Sequence, residues 1–192
     1  MKSLYAEMND EHTIIETING REYLMSPRPA IQHSRVAGSI HRLFANFLRG
    51  KRCEAFIEPD VFLDEETNVI PDVVIVCDKD KIKYNGIHGA PDLVVEVLSP
   101  STAARDRGIK KAAYEKAGVK EYWIVDPSAK SVEVYHLQEG RLELFDVFLV
   151  YPPEEWERMN EEERAKARLP VKVSLYDDLL VDVREVFENV GI

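Results

Sequence analysis

The sequence predicts a mixed α/β fold around a helix–strand–strand–strand–helix–strand core, and three observations carry that prediction. Short runs rich in Val and Ile recur between turn residues, the pattern of buried strands. Two longer stretches read as helices, Ala30 to Leu48 from apolar residues at helical spacing and Ala103 to Ala117 from a Ser/Thr cap and a glycine stop. One run, Leu93 to Leu98, is apolar at every position except Glu96, as in a central strand covered on both faces.

In chain order, Thr13 to Leu24 holds two short strand-like runs around Asn19-Gly20, a strong hairpin signal. Ser26-Pro27 and Pro29 break the chain. Ala30 to Leu48 reads as a helix, with Ile31, Val36, Ile40, Leu43, Phe44 and Phe47 near one face and Gly50 as its stop. Cys53 to Leu63 reads as a strand broken or bulged at Pro59, and Asp64 to Asn68 as a polar turn. Ile70 to Cys77 is a second strand and Asp78 to Ala90 a charged loop. After the third strand, Ser101 or Thr102 caps the helix 103–117, which Gly118 ends. Glu121 to Val125 is a fourth strand. Ser131 to His136 and Leu142 to Val150 form a hairpin around Glu139-Gly140. Glu154 to Arg168 reads as an exposed acidic helix, followed by a tail with a short strand and a last helix. Without a repeat or a low-complexity linker, one domain over residues 1–192 is expected, with a core of about 30–150 and an acidic helical insertion at about 151–168.

The chain's 192 residues, 45% hydrophobic and 31% charged, are those of an ordinary globular protein. No apolar run approaches the ~20 residues of a membrane span. The first residues lack the long apolar core of a secretory leader. Cys53 and Cys77 sit in no metal-ligand spacing, so free thiols and a cytoplasmic protein are expected. A net charge of −10 argues against broad nonspecific binding to nucleic acid, but not against a nuclease with local basic groups. Ala30 to Arg52 contains no Asp or Glu while carrying His33, Arg35, His41, Arg42, Arg49, Lys51 and Arg52. That stretch is either a solvated helix face or a phosphate-facing surface.

An acid inside a buried strand is costly unless a cation pairs with it or a metal uses it. Glu96 is such an acid, and Asp72 opens the preceding strand. If those strands are neighbours, the two carboxylates converge on one hard cation, and Mg²⁺ is typically held by one or two carboxylates plus waters. Lys110, about two turns into the following helix, can reach back toward Glu96. The alternative for Lys110 is an i, i+4 pair with Asp106, worth a few tenths of a kcal/mol. The alternatives for the acids are another buried cation beside Glu96 and a turn role for Asp72. Phosphate-loop, zinc-protease, serine-hydrolase and dinucleotide motifs are absent from the sequence.

The segments Pro71-Asp72-Val73-Val74, Pro91 through Thr102, Asp106, Lys110, Tyr114, Ala117-Gly118-Val119 and Glu121 through Pro127 resemble a family of restriction-endonuclease-like proteins. That family lies within the PD-(D/E)xK nuclease superfamily, whose core is an αβββαβ unit. The resemblance implies a restriction-endonuclease-like core with an added N-terminal hairpin and C-terminal strands. It further implies an endonuclease that hydrolyses DNA with Mg²⁺, or Mn²⁺, held by Asp72 and Glu96. Lys110 matches the catalytic lysine. In the superfamily pattern a lysine stands two residues after the Glu, yet position 98 is Leu; the resemblance implies that the lysine role has moved to the helix, the alternative being an inactive site. Many members carry an acid on the first helix, where this chain has His33. His33 is expected as a helix-start or core residue, Asp92 as a strand cap, and Tyr114 as a flanking or packing residue. A homodimer fits the need to cut two strands. The rivals are a non-catalytic module that binds a protein partner through Glu154 to Glu163, and a metal-dependent hydrolase of another phosphorylated substrate.

Overall fold

A computed structural model describes residues 14–25, 30–167 and 169–190. The start of the first strand at Thr13, the proline break at 26–29, the leader region and Arg168 lie outside them.

The central sheet contains β3 (Glu54–Ile57), β6 (Val73–Val76), β9 (Leu93–Val97), β10 (Glu121–Asp126), β11 (Ser131–Gln138) and β12 (Arg141–Leu149). Their order is β12-β11-β10-β9-β6-β3. Only the β9–β10 pair is parallel, joined through helical residues 103–117. Every residue of β6 and β9 is buried, as expected of strands covered on both faces.

Strand alternation sorts this sheet into two cores. Val73, Ile75, Leu93, Val95, Val97 and Trp123 face α1 (Ile31–Leu48), which presents Val36, Ala37, Ile40, Phe44 and Leu48. Phe44 meets Trp123 edge-on, with centroids 5.4 Å apart. The C-terminal β13 (Pro170–Lys172), β14 (Leu180–Asp182) and α6 (Val183–Val186) close the same core. Val74, Val76, Val94, Tyr122 and Ile124 face the other way, toward Tyr114 and a second sheet. That sheet joins β1 (Ile15–Ile18), β2 (Arg21–Leu24), β4 (Val61–Asp64), β5 (Thr67–Val69), β7 (Ile82–Lys83) and β8 (Gly86–His88) in the order β2-β1-β5-β4-β8-β7.

The fold is the mixed α/β architecture the sequence predicts, and the Asn19-Gly20 hairpin forms with Ile18 opposite Arg21. Four details differ. The single strand expected over Cys53 to Leu63 is two, β3 and β4, in different sheets, because Glu58-Pro59-Asp60 turns the chain between them. The loop expected over 78–90 contains β7 and β8, whereas the turn expected over Asp64 to Asn68 forms at Glu65-Glu66 between β4 and β5. The acidic helix is two short ones, α4 (Pro153–Arg158) and α5 (Glu161–Lys166), because Asn160 starts a new helix with a capping box to Glu163. Finally, the expected free thiols are a disulfide. Continuing the β3–β6 register past Glu54 and Val76 brings Cys53 opposite Cys77, and the two sulfurs are bonded.

Candidate active site

The site lies where β6 begins and β9 ends. Continuing the β6–β9 register one step past Val73 and Val95 sets Asp72 opposite Glu96. The Cβ atoms of directly opposed residues lie about 5 Å apart. Asp72 Oδ2 accepts the Val97 backbone N–H at 2.6 Å, which fixes one carboxylate against the strand bearing the other. Glu58 holds the Asp72 backbone by donating its N–H to the Asp72 carbonyl at 3.0 Å. It does so with φ of 48°, a left-handed conformation costing a non-glycine residue about 1–2 kcal/mol.

Glu96 points to the face shared with Val94 and is 3% exposed. Its Oε1 accepts the Tyr114 hydroxyl at 2.6 Å and forms an ion pair with the Lys110 ammonium, also at 2.6 Å. Lys110, itself buried, also donates to Glu16 Oε1 at 2.8 Å and lies 4.0 Å from Asp106 Oδ1. The i, i+4 pair expected as the alternative is thus the longest of its three contacts. Glu16 comes from β1 and is fully buried. It accepts the Ile70 backbone N–H at 3.0 Å through Oε1 and Arg105 Nη1 at 3.4 Å through Oε2. Glu16 therefore ties the segment leading to Asp72 to the helix carrying Lys110.

That helix is not regular. Between α2 (Ala103–Arg105) and α3 (Lys111–Ala117) lies a wide π turn, Asp106–Lys110. In a regular α-helix Arg105 and Lys110 would stand about 140° apart. The i→i+5 bonding of a π turn stacks residues five apart. The wide turn thus lets both cations meet Glu16, and the Tyr122 hydroxyl donates to the Asp106 carbonyl at 2.9 Å.

His33, in the first turns of α1, is neither a helix-start residue alone nor a core one. Its Nε2 lies 3.3 Å from Asp72 Oδ1, while Nδ1 is buried without a partner. Asp92 does more than cap a strand, accepting the Cys77 N–H at 2.8 Å and Lys120 Nζ at 2.7 Å.

These groups line one cleft of about 310 Å³, among them Glu16, His33, Asp72, Glu96, Asp106 and Lys110. The three residues singled out from the sequence, Asp72, Glu96 and Lys110, are brought together. Sequence reasoning missed Glu16 and Arg105. Glu16's parity with the inward-facing Ile18 was its only local signal.

Five carboxylates line this cleft, Glu16, Glu58, Asp72, Glu96 and Asp106, against the ammonium of Lys110, with Arg105 reaching Glu16 from beside it, and the imbalance shows in the proton affinities. Burial pushes the Glu96 carboxyl well above the ordinary carboxylate range. Lys110 pulls it down, while Asp106, Asp72 and Glu16 push it up. Asp106 is raised likewise, by burial first. For Lys110 burial works against the charge, but Glu96, Glu16 and Asp106 outweigh it and hold the ammonium protonated. His33 is raised too, burial being overcome by the hydrogen bond and charge of Asp72, the Val97 backbone and the charge of Glu58. Among the described residues, no three His, Cys, Asp or Glu side chains form a ready-made metal cage. Two carboxylates with surplus negative charge behind them nonetheless match the donor set Mg²⁺ takes when it keeps several waters.

The fold is a mixed α/β architecture with two opposed acids and a lysine in one cleft. The chain belongs to the Uma2 family, described as "Putative restriction endonuclease", whose family model matches residues 3–169. It is 33% identical over 125 residues to an "Uncharacterized protein slr1290" of Synechocystis sp. (strain ATCC 27184 / PCC 6803 / Kazusa). That match spans 63% of this chain and 65% of the relative's length. A solved structure of "a putative nuclease belonging to DUF820" from Anabaena variabilis ATCC 29413 superposes with a TM-score of 0.68 at 20% identity. The superposition covers 95% of this chain and 94% of that one, a likeness of fold. Among the described residues, no helix is long and apolar enough to cross a membrane.

Proposed function

We propose that this chain is a divalent-metal-dependent endonuclease that hydrolyses phosphodiester bonds in DNA. The observation that carries the reading is Asp72 set opposite Glu96, with Lys110 on Glu96, in a cleft whose carboxylates outnumber its permanent cations. Asp72 and Glu96 would hold Mg²⁺ or Mn²⁺. Such an ion supplies Lewis-acid stabilisation of charge on phosphoryl oxygens and raises the acidity of water.

The chain's own groups then have separate tasks. Lys110, kept charged and fixed by Glu16 and Asp106, stabilises negative charge that develops on the phosphoryl group. Tyr114 and Lys110 both hold Glu96 Oε1, orienting the carboxylate and leaving Oε2 unused by either contact. His33 orients Asp72 through Oδ1 while the Val97 N–H takes Oδ2. Cutting both strands of a duplex needs two such sites, so a homodimer belongs to this proposal. The cytoplasm is the compartment it implies, on the ground of where chromosomal DNA lies rather than of the cysteines.

Calorimetric titration of Mg²⁺ and Mn²⁺ into the wild type, Asp72→Asn and Glu96→Gln tests the reading, alongside cleavage of labelled DNA. Saturable binding in the wild type alone, with cleavage that needs the metal, is the expected result. Equal and negligible heats in all three proteins would sink it. Metal binding without cleavage of duplex, single-stranded or branched DNA would point instead to a smaller phosphorylated substrate.

A further inference from the structure

A second concavity, of about 690 Å³, lies outside the candidate active site. Ser128 and Lys130 line it from the β10–β11 turn, Tyr151 and Trp156 from the segment that forms α4, and Leu169 and Arg184 from the C-terminal elements. Among the described residues no carboxylate lines it, against five in the first cleft. Glu154, Glu155 and Glu157 stand on α4 but outside the lining. The acidic insertion at about 151–168 thus brings two aromatic rings to this groove. Tyr151 and Trp156 have centroids 6.3 Å apart and planes tilted by 38°. Arg164 lies over the Trp156 ring at 5.6 Å and donates to the Trp156 carbonyl at 3.0 Å, which holds the indole in place.

The groove lies one strand along the sheet from the cleft. β9 and β10 run parallel with Val97 opposite Val125, and Leu98 donates its N–H to the Val125 carbonyl at 2.8 Å. Val97 lines the cleft, and Ser128, just past the end of β10, lines the groove. Adjacent strands lie about 4.8 Å apart, and the chain from Val125 to Ser128 spans at most about 10.5 Å. Val97 and Ser128 therefore stand within about 15 Å of each other. The turn between is well held: Asp126 accepts the Ser128 and Ala129 N–H groups at 2.8 and 3.1 Å, and the Lys130 carbonyl accepts the Val150 N–H at 3.0 Å. Both openings sit at the C-terminal end of the parallel strand pair, the end at which open α/β sheets bind ligands.

We propose that this groove is a subsite for an unpaired base of the DNA strand whose scissile phosphate occupies the cleft. The base stacks on Trp156 beside Tyr151, and Lys130 meets a phosphate of the same strand. The inference rests on the nuclease reading above and adds a substrate class, DNA with a single-stranded segment next to the cut. The lining selects this occupant. Aromatic faces accept any base, and a cation with no carboxylate competing for it attracts phosphate. Among the described residues the Lys130 ammonium has no hydrogen bond or ion pair, whereas Arg184 is held by Asp182. A span of about 15 Å is that of roughly four to five stacked nucleotides at 3.4 Å each, so one short strand reaches both openings.

The test titrates the protein with a single strand of about ten nucleotides and with a blunt duplex of the same sequence, Ca²⁺ replacing Mg²⁺. Of the two tryptophans Trp123 is fully buried, so quenching of the indole emission reports on Trp156. Anisotropy of a labelled strand gives the affinity. Saturable quenching is expected in the wild type. Trp156→Leu should weaken single-strand binding by about 5- to 100-fold and leave duplex binding unchanged. Trp156→Phe keeps an aromatic face and should retain most of the affinity. Lys130→Asn removes the charge at a position with φ of 48°, which Asn tolerates. It should make the slope of log affinity against log salt shallower by about 0.7. Urea midpoints near that of the wild type are expected for all three variants. Absence of quenching, an unchanged affinity in Trp156→Leu, or equal losses in Trp156→Leu and Trp156→Phe overturns the subsite. Metal binding and cleavage that persist without quenching would refute the groove and leave the nuclease reading standing.

Discussion

Lys110→Met puts the balance of the cleft to a direct test. Methionine keeps length and apolar bulk but removes the one ammonium that contacts Glu96 at 2.6 Å and Glu16 at 2.8 Å, with Asp106 at 4.0 Å. Breaking a buried ion pair by deleting one partner costs about 3–5 kcal/mol, because the other charge stays buried without compensation. The loss has a ceiling, since a stranded carboxyl can take up a proton. For a carboxyl of ordinary pKa near 4.3 that uptake costs about 3.7 kcal/mol at pH 7 and about 1 kcal/mol at pH 5. Glu96 absorbs it most readily, its proton affinity already being raised by burial. Its folded-state pKa then lies further above the unfolded value, so the variant's stability is present at low pH and lost as pH rises through the folded pKa. The expected destabilisation is about 4 kcal/mol at pH 7 and about 1–2 kcal/mol at pH 5. With a urea m-value of about 2 kcal/mol/M, the midpoint falls by about 2 M at pH 7 and by less than about 1 M at pH 5. Urea unfolding followed by circular dichroism at both pH values measures this. A destabilisation below about 1 kcal/mol at pH 7, or one equal at both pH values, would refute the reasoning.

Three further outcomes are expected. Glu96→Gln should abolish metal binding by calorimetry yet leave the urea midpoint unchanged or raised, because it removes a buried charge and can keep an acceptor for Tyr114 and Lys110; a large loss of stability would contradict it. Reducing the Cys53–Cys77 bond, which closes a separation of 24 residues, should cost about 3 kcal/mol in the chain-entropy account, a melting-temperature drop of roughly 6–12 °C in calorimetry with and without dithiothreitol. The raised pKa of His33 means its stabilisation is full below its ordinary value of 6.5 and disappears as pH rises through the folded value. Accordingly, His33→Asn should be less stable than the wild type at pH 5.5 and should approach it at pH 9, a difference thermal melts at those two values would read.

The parts of the site that could be read in the sequence are those whose local pattern was costly or directional. Glu96 stood out because an acid in the apolar run from Leu93 to Leu98 needs a reason. Asp72 followed from the neighbouring strand, and Lys110 from the length of its side chain on the next helix. Glu16 did not stand out, because a hairpin of Ile14, Ile15, Glu16, Thr17 and Ile18 reads equally well with either face inward. The structure buries Glu16 and Ile18 and exposes Ile15, and that choice is made by Lys110 and Arg105, which lie about 90 residues away in the chain. His33 and the disulfide were hidden for a similar reason: each depends on a register between strands or helices distant in sequence. The break in the acidic helix was legible after all, since Asn160 followed by Glu163 is a capping box.

The π turn at Asp106–Lys110 has a consequence for how this gene can change. One residue removed between Arg107 and Ile109 would restore regular helical geometry and keep the composition nearly intact. It would also swing everything beyond it by about 100° relative to Arg105, taking Lys110 and Tyr114 together off Glu96. Point substitutions at the exposed Arg107 and Gly108 alter no contact to Glu96 or Glu16, so this segment should accept changes of letter while rejecting changes of length. The spacing, more than any single side chain in the turn, is the inherited instruction.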